Sequence, residues 1–377
     1  MILTFSFSEK NCFLPCNGIP PPIHYLRQKL TKGFHIMNSK FQRIKIGQIG
    51  IGHNHASEKM AALRRLSEFY EVVGIVEPDP KWRELRGGFK EYRDLPWMTE
   101  EELFSTPGLE AVAVEMDGFE LLETARKCVD RNLHIHMDKP GGEALEPFRD
   151  LINDFRKKHL TVQLGYMYRN NPAIQFCFDA VRKGWLGDIF EVHAVMNRYD
   201  GHNDAYRKWL AQFKGGAIYI FAGHLIDLVV TLLGRPLRVT PYLSKTRNDN
   251  LFDTGLAVLE YPRAVATVRT GVTEVDGMKH RRLIVCGTKG SIEICPLEHP
   301  ADRYRLDPLH LRLTLLEGND VYEAGTHDIN AGVMNGRYDN QLIELARIIR
   351  GEIENPYPPA HELIVQEALL QAAGYYQ

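Results

Sequence analysis

The chain has 377 residues, 44% of them apolar and 25% charged, with a formal net charge of −2. That length allows two domains with cores of their own, and the charge balance argues against a nucleic-acid partner. No run approaches the roughly 18 apolar residues that a membrane-spanning helix needs. Six cysteines (12, 16, 128, 177, 286 and 295) are scattered, and read as reduced core thiols of a cytoplasmic protein.

Residues 1–40 do not match the rest of the chain. Their opening apolar run lacks a basic segment, is broken by Ser8-Glu9-Lys10, and is succeeded by Pro20-Pro21-Pro22. This is a poor secretory signal, and a poorly ordered extension is expected.

From residue 41 to 164 the pattern alternates between strand and helix. Ile44, Ile46, Ile49 and Ile51 read as a buried strand that runs into Gly50 and Gly52, and Ala56, Met60, Leu63 and Leu66 begin a helical stripe. Strand, glycine turn and helix together aim backbone N–H groups and a helix dipole at a pyrophosphate. Glycine is needed where a Cβ would hold the phosphates away. The third glycine of the dinucleotide fingerprint is replaced by His55.

The next strand, Glu71 to Val76, ends at Glu77, placed to accept hydrogen bonds from an adenosine ribose diol and to repel a 2′-phosphate. The alternative is a solvated strand-end carboxylate. Pro78-Asp79-Pro80 stops the strand, and Thr99 to Glu102 is a capping box. Strands at 109–114, 133–137 and 161–164 alternate with helices that carry Leu121, Ala125 and Cys128, then Phe148, Leu151 and Phe155. This predicts an N-terminal Rossmann, doubly wound parallel sheet whose ligand lies past the strands' carboxyl ends, where Gly50, Ile51, Gly52, His53, Asn54, Glu77, Glu115 and Lys139 fall.

Residues 165–335 obey other rules. Pro172 opens a helix that Gly184 closes, and strands at 190–196, 256–261, 264–270, 282–286 and 291–295 are joined by short turns. The prediction is a C-terminal α+β domain with a large, mostly antiparallel open sheet. One face of such a sheet takes helices, and the other suits a homodimer or homotetramer. Helices over about 338–350 and 361–373, within a segment 336–377, are expected to pack back across both domains. The run Asp200, His202, Asp204 carries metal-ligand residue types but reads as a turn before Trp209. No metal is expected.

Gly50-Ile-Gly52, Glu77, Asp138-Lys139-Pro140, Gly215-Gly216 and Gly223-His224-Leu-Ile-Asp227 with Leu232-Leu233-Gly234 together resemble the Gfo/Idh/MocA oxidoreductases, from about residue 43 to the C-terminus. The resemblance implies NAD(P) held between a Rossmann domain and an open-sheet domain, with reversible oxidation of a ring hydroxyl on a sugar, cyclitol or related polyol. NAD is the form Glu77 favours. Lys139 matches the family lysine that hydrogen-bonds the reacting hydroxyl, and His224 matches the histidine that takes its proton. A strand-end lysine and a buried structural histidine are the plainer alternatives. Arg169, Tyr168, His202, Tyr219 and Asp227 are assigned to the carbohydrate. His53 and His55 are expected to cap the turn.

The chain departs from the family at three places, one of them Glu120 or Leu121 where a His usually starts the following helix. Ile220 stands where dehydrogenases of this kind carry an Asp, and Glu115-Met116 replaces a usual Thr-Pro pair. Three functions are therefore compatible with the sequence: an NAD-dependent dehydrogenase, an NAD-retaining enzyme that cleaves glycosides by transient oxidation and elimination, and a non-catalytic NAD-binding sensor.

Overall fold

The computed structural model describes residues 42–300 and 305–376. The expectation for residues 1–40, with Cys12 and Cys16, lies outside them. Ile44, Ile46 and Ile49 are buried in β1 (Ile44–Ile49), which pairs in parallel with β2 (Tyr70–Val76) on one side and β3 (Leu109–Val114) on the other. β4 (His134–Met137) and β5 (Val162–Leu164) extend the sheet in the order β2-β1-β3-β4-β5, all parallel.

The chain leaves β1 for one neighbour and returns on its other side. At such a reversal the crossover helices diverge and open a crevice at the strands' carboxyl ends. α1 (Ala56–Arg65), α4 (Leu121–Asp130) and α5 (Leu145–Lys157) are amphipathic and bury Leu63, Ala125 and Phe148. Between β2 and β3 run α2 (Pro80–Arg86), N-capped by Asp79 through Lys81 N–H, and α3 (Glu100–Phe104), which has the expected capping box. Pro78-Asp79-Pro80 thus ends one element and starts the next, since proline fits a first helical turn as well as it ends a strand.

The second sheet has eight strands in the order β13-β12-β11-β10-β6-β9-β8-β7. They are β6 (Ile189–Asn197), β7 (Arg238–Ser244), β8 (Thr254–Glu260), β9 (Val265–Gly271), β10 (Arg282–Gly287), β11 (Gly290–Ile294), β12 (Leu309–Leu315) and β13 (Gly325–Gly332). Only β6 and β9 pair in parallel. Alternate residues such as Val192, Ala257, Val268 and Val285 are buried under helices, and their neighbours on the other face are partly exposed.

Sequence reading missed three of these strands. Two are edges: β7 carries Pro241, and β13 has only Ile329 and Ala331 among polar residues and glycines. The third, β12, alternates cleanly as Leu-His-Leu-Arg-Leu-Thr-Leu. Of the thiols, Cys128 and Cys177 are buried as expected, but Cys286 is half-buried and Cys295 is exposed.

α6 (Pro172–Arg182) comes after β5. α7 (Asp204–Leu210), α8 (Gly216–Phe221) and α9 (Gly223–Leu233) come after β6. Of the last helices, α10 (Asp339–Ile349) packs on α1 and β4, and α11 (Pro359–Ala372) on α5 and α9. A buried ion network fixes α11. Arg169 donates from Nη2 to Asp227 Oδ1 at 2.7 Å and to Glu362 Oε2 at 2.9 Å, and from Nη1 to Glu362 Oε1 at 2.8 Å. Tyr357 lies 3.8 Å from the guanidinium carbon, and His361 Nε2 lies 2.8 Å from Asp227 Oδ1. Burial opposes the Asp227 charge, but Arg169 and His361 hold this carboxyl below its usual range.

Arg169→Met leaves two buried carboxylates facing each other and is expected to cost about 3–5 kcal/mol in urea unfolding at neutral pH. A carboxyl held low in the folded state stabilises above its unfolded value, and this contribution is lost as pH falls through the folded one. The gap between wild type and variant should therefore narrow below about pH 4. An undiminished gap in acid would contradict this.

Candidate active site

β1 enters the crevice at Gly50, whose φ is +93° and whose N–H donates to Val76 O at 2.8 Å. A Cβ there would stand 2.6 Å from the main chain of Glu115 and Met116, so only glycine lets the turn pass the end of β3. At Gly52 a Cβ would stand 2.7 Å from the Trp82 indole nitrogen. Arg86 stacks on Trp82 and donates to Ile51 O at 3.2 Å, His53 O at 2.8 Å and Asn54 Oδ1 at 2.7 Å. Trp82 and Arg86, both on α2, therefore lie across the glycine turn, a role that no sequence spacing announced.

Glu77 stands at the expected strand end but is not free. Its Oε2 accepts from Ile51 N–H at 2.7 Å and its Oε1 from Asp79 N–H at 2.9 Å. Burial raises this carboxyl, and those backbone donors partly offset the rise. Each oxygen keeps a second lone pair for a ribose hydroxyl, so the carboxylate fits a diol while bracing the turn. Glu77 thus fits a ribose diol, whereas the space beside Gly50 and Gly52 is taken by the main chain of Glu115 and Met116 and by Trp82, so packing rather than room for phosphates is what requires glycine at these two positions.

Glu115 departs from its predicted place beside the cofactor. It is wholly buried, and its Oε1 accepts from Lys59 Nζ at 2.8 Å. Lys59 projects from the inner face of α1 and also lies 3.6 Å from Asp138 Oδ1. Burial opposes this ammonium, yet Asp138 and Glu115 keep its pKa above the usual lysine value. Glu115 is thus a core counter-ion, because a buried lysine needs one.

Asp138 is equally buried. Its Oδ1 accepts the Lys139 N–H at 2.8 Å, and its Oδ2 lies 2.6 Å from His53 Nδ1 and 3.3 Å from His55 Nδ1. His53 Nδ1 accepts the His55 N–H at 3.2 Å, the expected turn role, while neither side chain caps α1 and both rings also turn toward this carboxylate.

Lys139 and His224 line one cavity of about 250 Å³. Lys139 Nζ donates to Ile220 O at 2.7 Å, and burial lowers its pKa to about 8. His224, on the first turn of α9, meets the ring edges of Tyr166 and Tyr168 at 6.0 and 5.8 Å. Burial, then the neighbouring Lys139, pushes the imidazole well below its ordinary value, so it is neutral. His224 Nδ1 has no hydrogen-bond partner among the described residues.

The residues assigned to the carbohydrate lie elsewhere. Arg169 and Asp227 are committed to the ion network. Tyr168 is buried with its hydroxyl on Glu298 Oε1 at 2.9 Å, and Tyr219 packs among Phe213 and Tyr375. His202 is exposed and stacks on Tyr199. Its neighbours Asp200 and Asp204 pair with Arg198 and Arg247, as turn residues.

The cavity wall comes instead from Arg198, Tyr206, Trp209, Phe221, Met278 and Arg281. Arg198 succeeds the last residue of β6 and Arg281 precedes β10, so strand ends carry both. Tyr206 and Trp209 share one face of α7 at helical spacing. Those were the available signals.

Comparison with known proteins identifies the architecture. A family described as an oxidoreductase family with an NAD-binding Rossmann fold matches residues 44–166, and the GFO/IDH/MocA C-terminal domain matches residues 175–293. The chain belongs to the Gfo/Idh/MocA oxidoreductase family. Among its relatives, the uncharacterized oxidoreductase YhhX of Escherichia coli is 28% identical over 51% of this chain and 54% of its own. The match thus spans about half of that relative. The scyllo-inositol 2-dehydrogenase (NADP(+)) IolW of Bacillus subtilis is 22% identical over 64% of this chain and 67% of its own. A levoglucosan dehydrogenase, solved with NADH and levoglucosan, shares the fold with a TM-score of 0.71 and 15% identity over 89% of this chain and 98% of that one.

Gly50→Ala combines a positive φ with a main-chain collision, and is expected to cost more than about 1 kcal/mol. It should also weaken NAD binding, monitored by quenching of tryptophan fluorescence. Unchanged stability and affinity together would show that the turn tolerates a Cβ.

Proposed function

We propose that this Gfo/Idh/MocA protein is a nicotinamide-dependent dehydrogenase acting on a hydroxyl of a sugar, cyclitol or related polyol. The observation that carries this reading is the shared cavity of Lys139 and His224 at the carboxyl edge of the parallel sheet. Gly50, Gly52 and Glu77 would hold the dinucleotide, which when bound supplies a hydride acceptor.

The chain's own groups do the rest. The Lys139 ammonium donates a hydrogen bond to the reacting oxygen and offsets the negative charge that develops there. The neutral His224 imidazole accepts the hydroxyl proton. Tyr206, Trp209 and Phe221 offer apolar faces to ring C–H groups and keep water out. Glu77 favours NAD, since a 2′-phosphate beside a carboxylate is repelled. The NADP(+)-dependent IolW shows that a family relative can use the other form.

Lys139→Met is expected to abolish turnover while NAD affinity stays within about tenfold, and His224→Ala to lower kcat by about 10²–10⁴. NADH absorbance with a panel of sugars and cyclitols checks both. Substantial activity in Lys139→Met would remove that residue from the mechanism. The same panel with NAD and NADP should give the larger kcat/KM with NAD.

One observation favours a second course. Among the cavity residues Glu58 is the lone carboxylate, and Ile220 presents only its backbone carbonyl to Lys139. A wall poor in carboxylates is compatible with a course in which a glycoside would be oxidised transiently, the aglycone eliminated, water added to the resulting enone and the hydride returned. Glycoside cleavage with no net NADH distinguishes that course.

A further inference from the structure

Hydride transfer as described gives His53 and His55 no part in the chemistry. They stand two residues apart in the glycine turn, with ring centroids 4.7 Å apart and planes at 68°. Both Nδ1 atoms converge on one oxygen, Asp138 Oδ2, brought from the end of β4. A single donor atom from each of the three residues lies within 4.8 Å of the other two.

The surroundings suit a cation. Asp138 is fixed from behind, its other oxygen held by the Lys139 N–H. Lys59 carries positive charge near it, but Glu115 pairs with Lys59 at 2.8 Å and balances that charge. The Lys139 ammonium is drawn away to Ile220 O. The Oδ2 oxygen of Asp138 therefore faces two imidazoles, while Oδ1 is held by the Lys139 N–H with Lys59 3.6 Å away. His53 and His55 also line the cavity, which gives an ion a way in and leaves coordination positions open toward the substrate side.

We propose that His53, His55 and Asp138 form a binding site for a first-row divalent cation of the zinc type. Two imidazole nitrogens and one carboxylate oxygen are a donor set of borderline softness, which suits Zn²⁺ or Co²⁺ and is poor for Mg²⁺ or Ca²⁺. Three protein ligands leave at least one position for water or a substrate oxygen, as in open rather than structural zinc sites. The ion would polarise an oxygen bound at the same cavity as Lys139. The site stands on its own geometry and does not need the dehydrogenase reading to hold.

The test uses the full chain, stripped with chelator and free of dinucleotide. Zn²⁺ is titrated calorimetrically, metal is counted after desalting, and Co²⁺ is monitored by its visible ligand-field bands. One equivalent of Zn²⁺ should be retained per chain, with the intense Co²⁺ bands of low coordination number.

His53→Gln and His55→Gln should each weaken binding at least about tenfold, since losing even an outer-sphere partner costs that much. The exposed His310→Gln should leave it unchanged. Both turn histidines are partly exposed, so their variants are expected to melt as wild type does, and circular dichroism checks this. Failure to retain Zn²⁺, or the same retention in the folded His53→Gln/His55→Gln double variant, overturns the proposal. Either result leaves the dehydrogenase assays untouched.

Discussion

The cleft depends on keeping Asp138 ionised although the residue is buried. A buried carboxylate is costly unless partners surround it, and here Lys59, the Lys139 N–H, His53 and His55 supply them. They come from α1, the end of β4 and the glycine turn, so one charge draws three segments of the Rossmann half together. The lysine next to Asp138 is thereby pointed into the cavity. Burial costs Lys139 part of its affinity for a proton, which places that ammonium in a range where proton exchange with a substrate is possible near neutral pH.

Much of this was legible in the chain itself. The buried isoleucines, the glycines after them and the acidic end of the second strand specify a parallel sheet with its crevice at one edge, because each feature has a local physical cause. The second domain was legible where strands alternate and turns are short. It was lost where an edge strand is mostly polar or carries proline, since edges need no buried face, and also at β12, although that strand alternates cleanly.

Side-chain destinations were harder to read. Arg169 and Asp227 are charged, and charge suggested a substrate, but a pair wholly buried with Glu362 serves packing. Nothing local in the sequence could show this, because Glu362 lies 193 residues beyond Arg169. Asp138 is likewise 83 residues from His55, and only the folding of β4 beside β3 brings them together. The replacement of the usual Thr-Pro by Glu115-Met116 becomes intelligible with Lys59. A lysine on the inner face of α1 required a carboxylate opposite it, and the end of β3 was the nearest position.

The Arg169 network also has a consequence for the order in which the molecule matures. α9, which presents His224 to the cavity, is anchored through Asp227 to an arginine that in turn needs Glu362. On the ribosome neither half is finished early: α10 must reach α1 and β4, and the imidazole's support arrives only once residue 362 has cleared the exit tunnel. The cleft is thus among the last parts of the molecule to be completed.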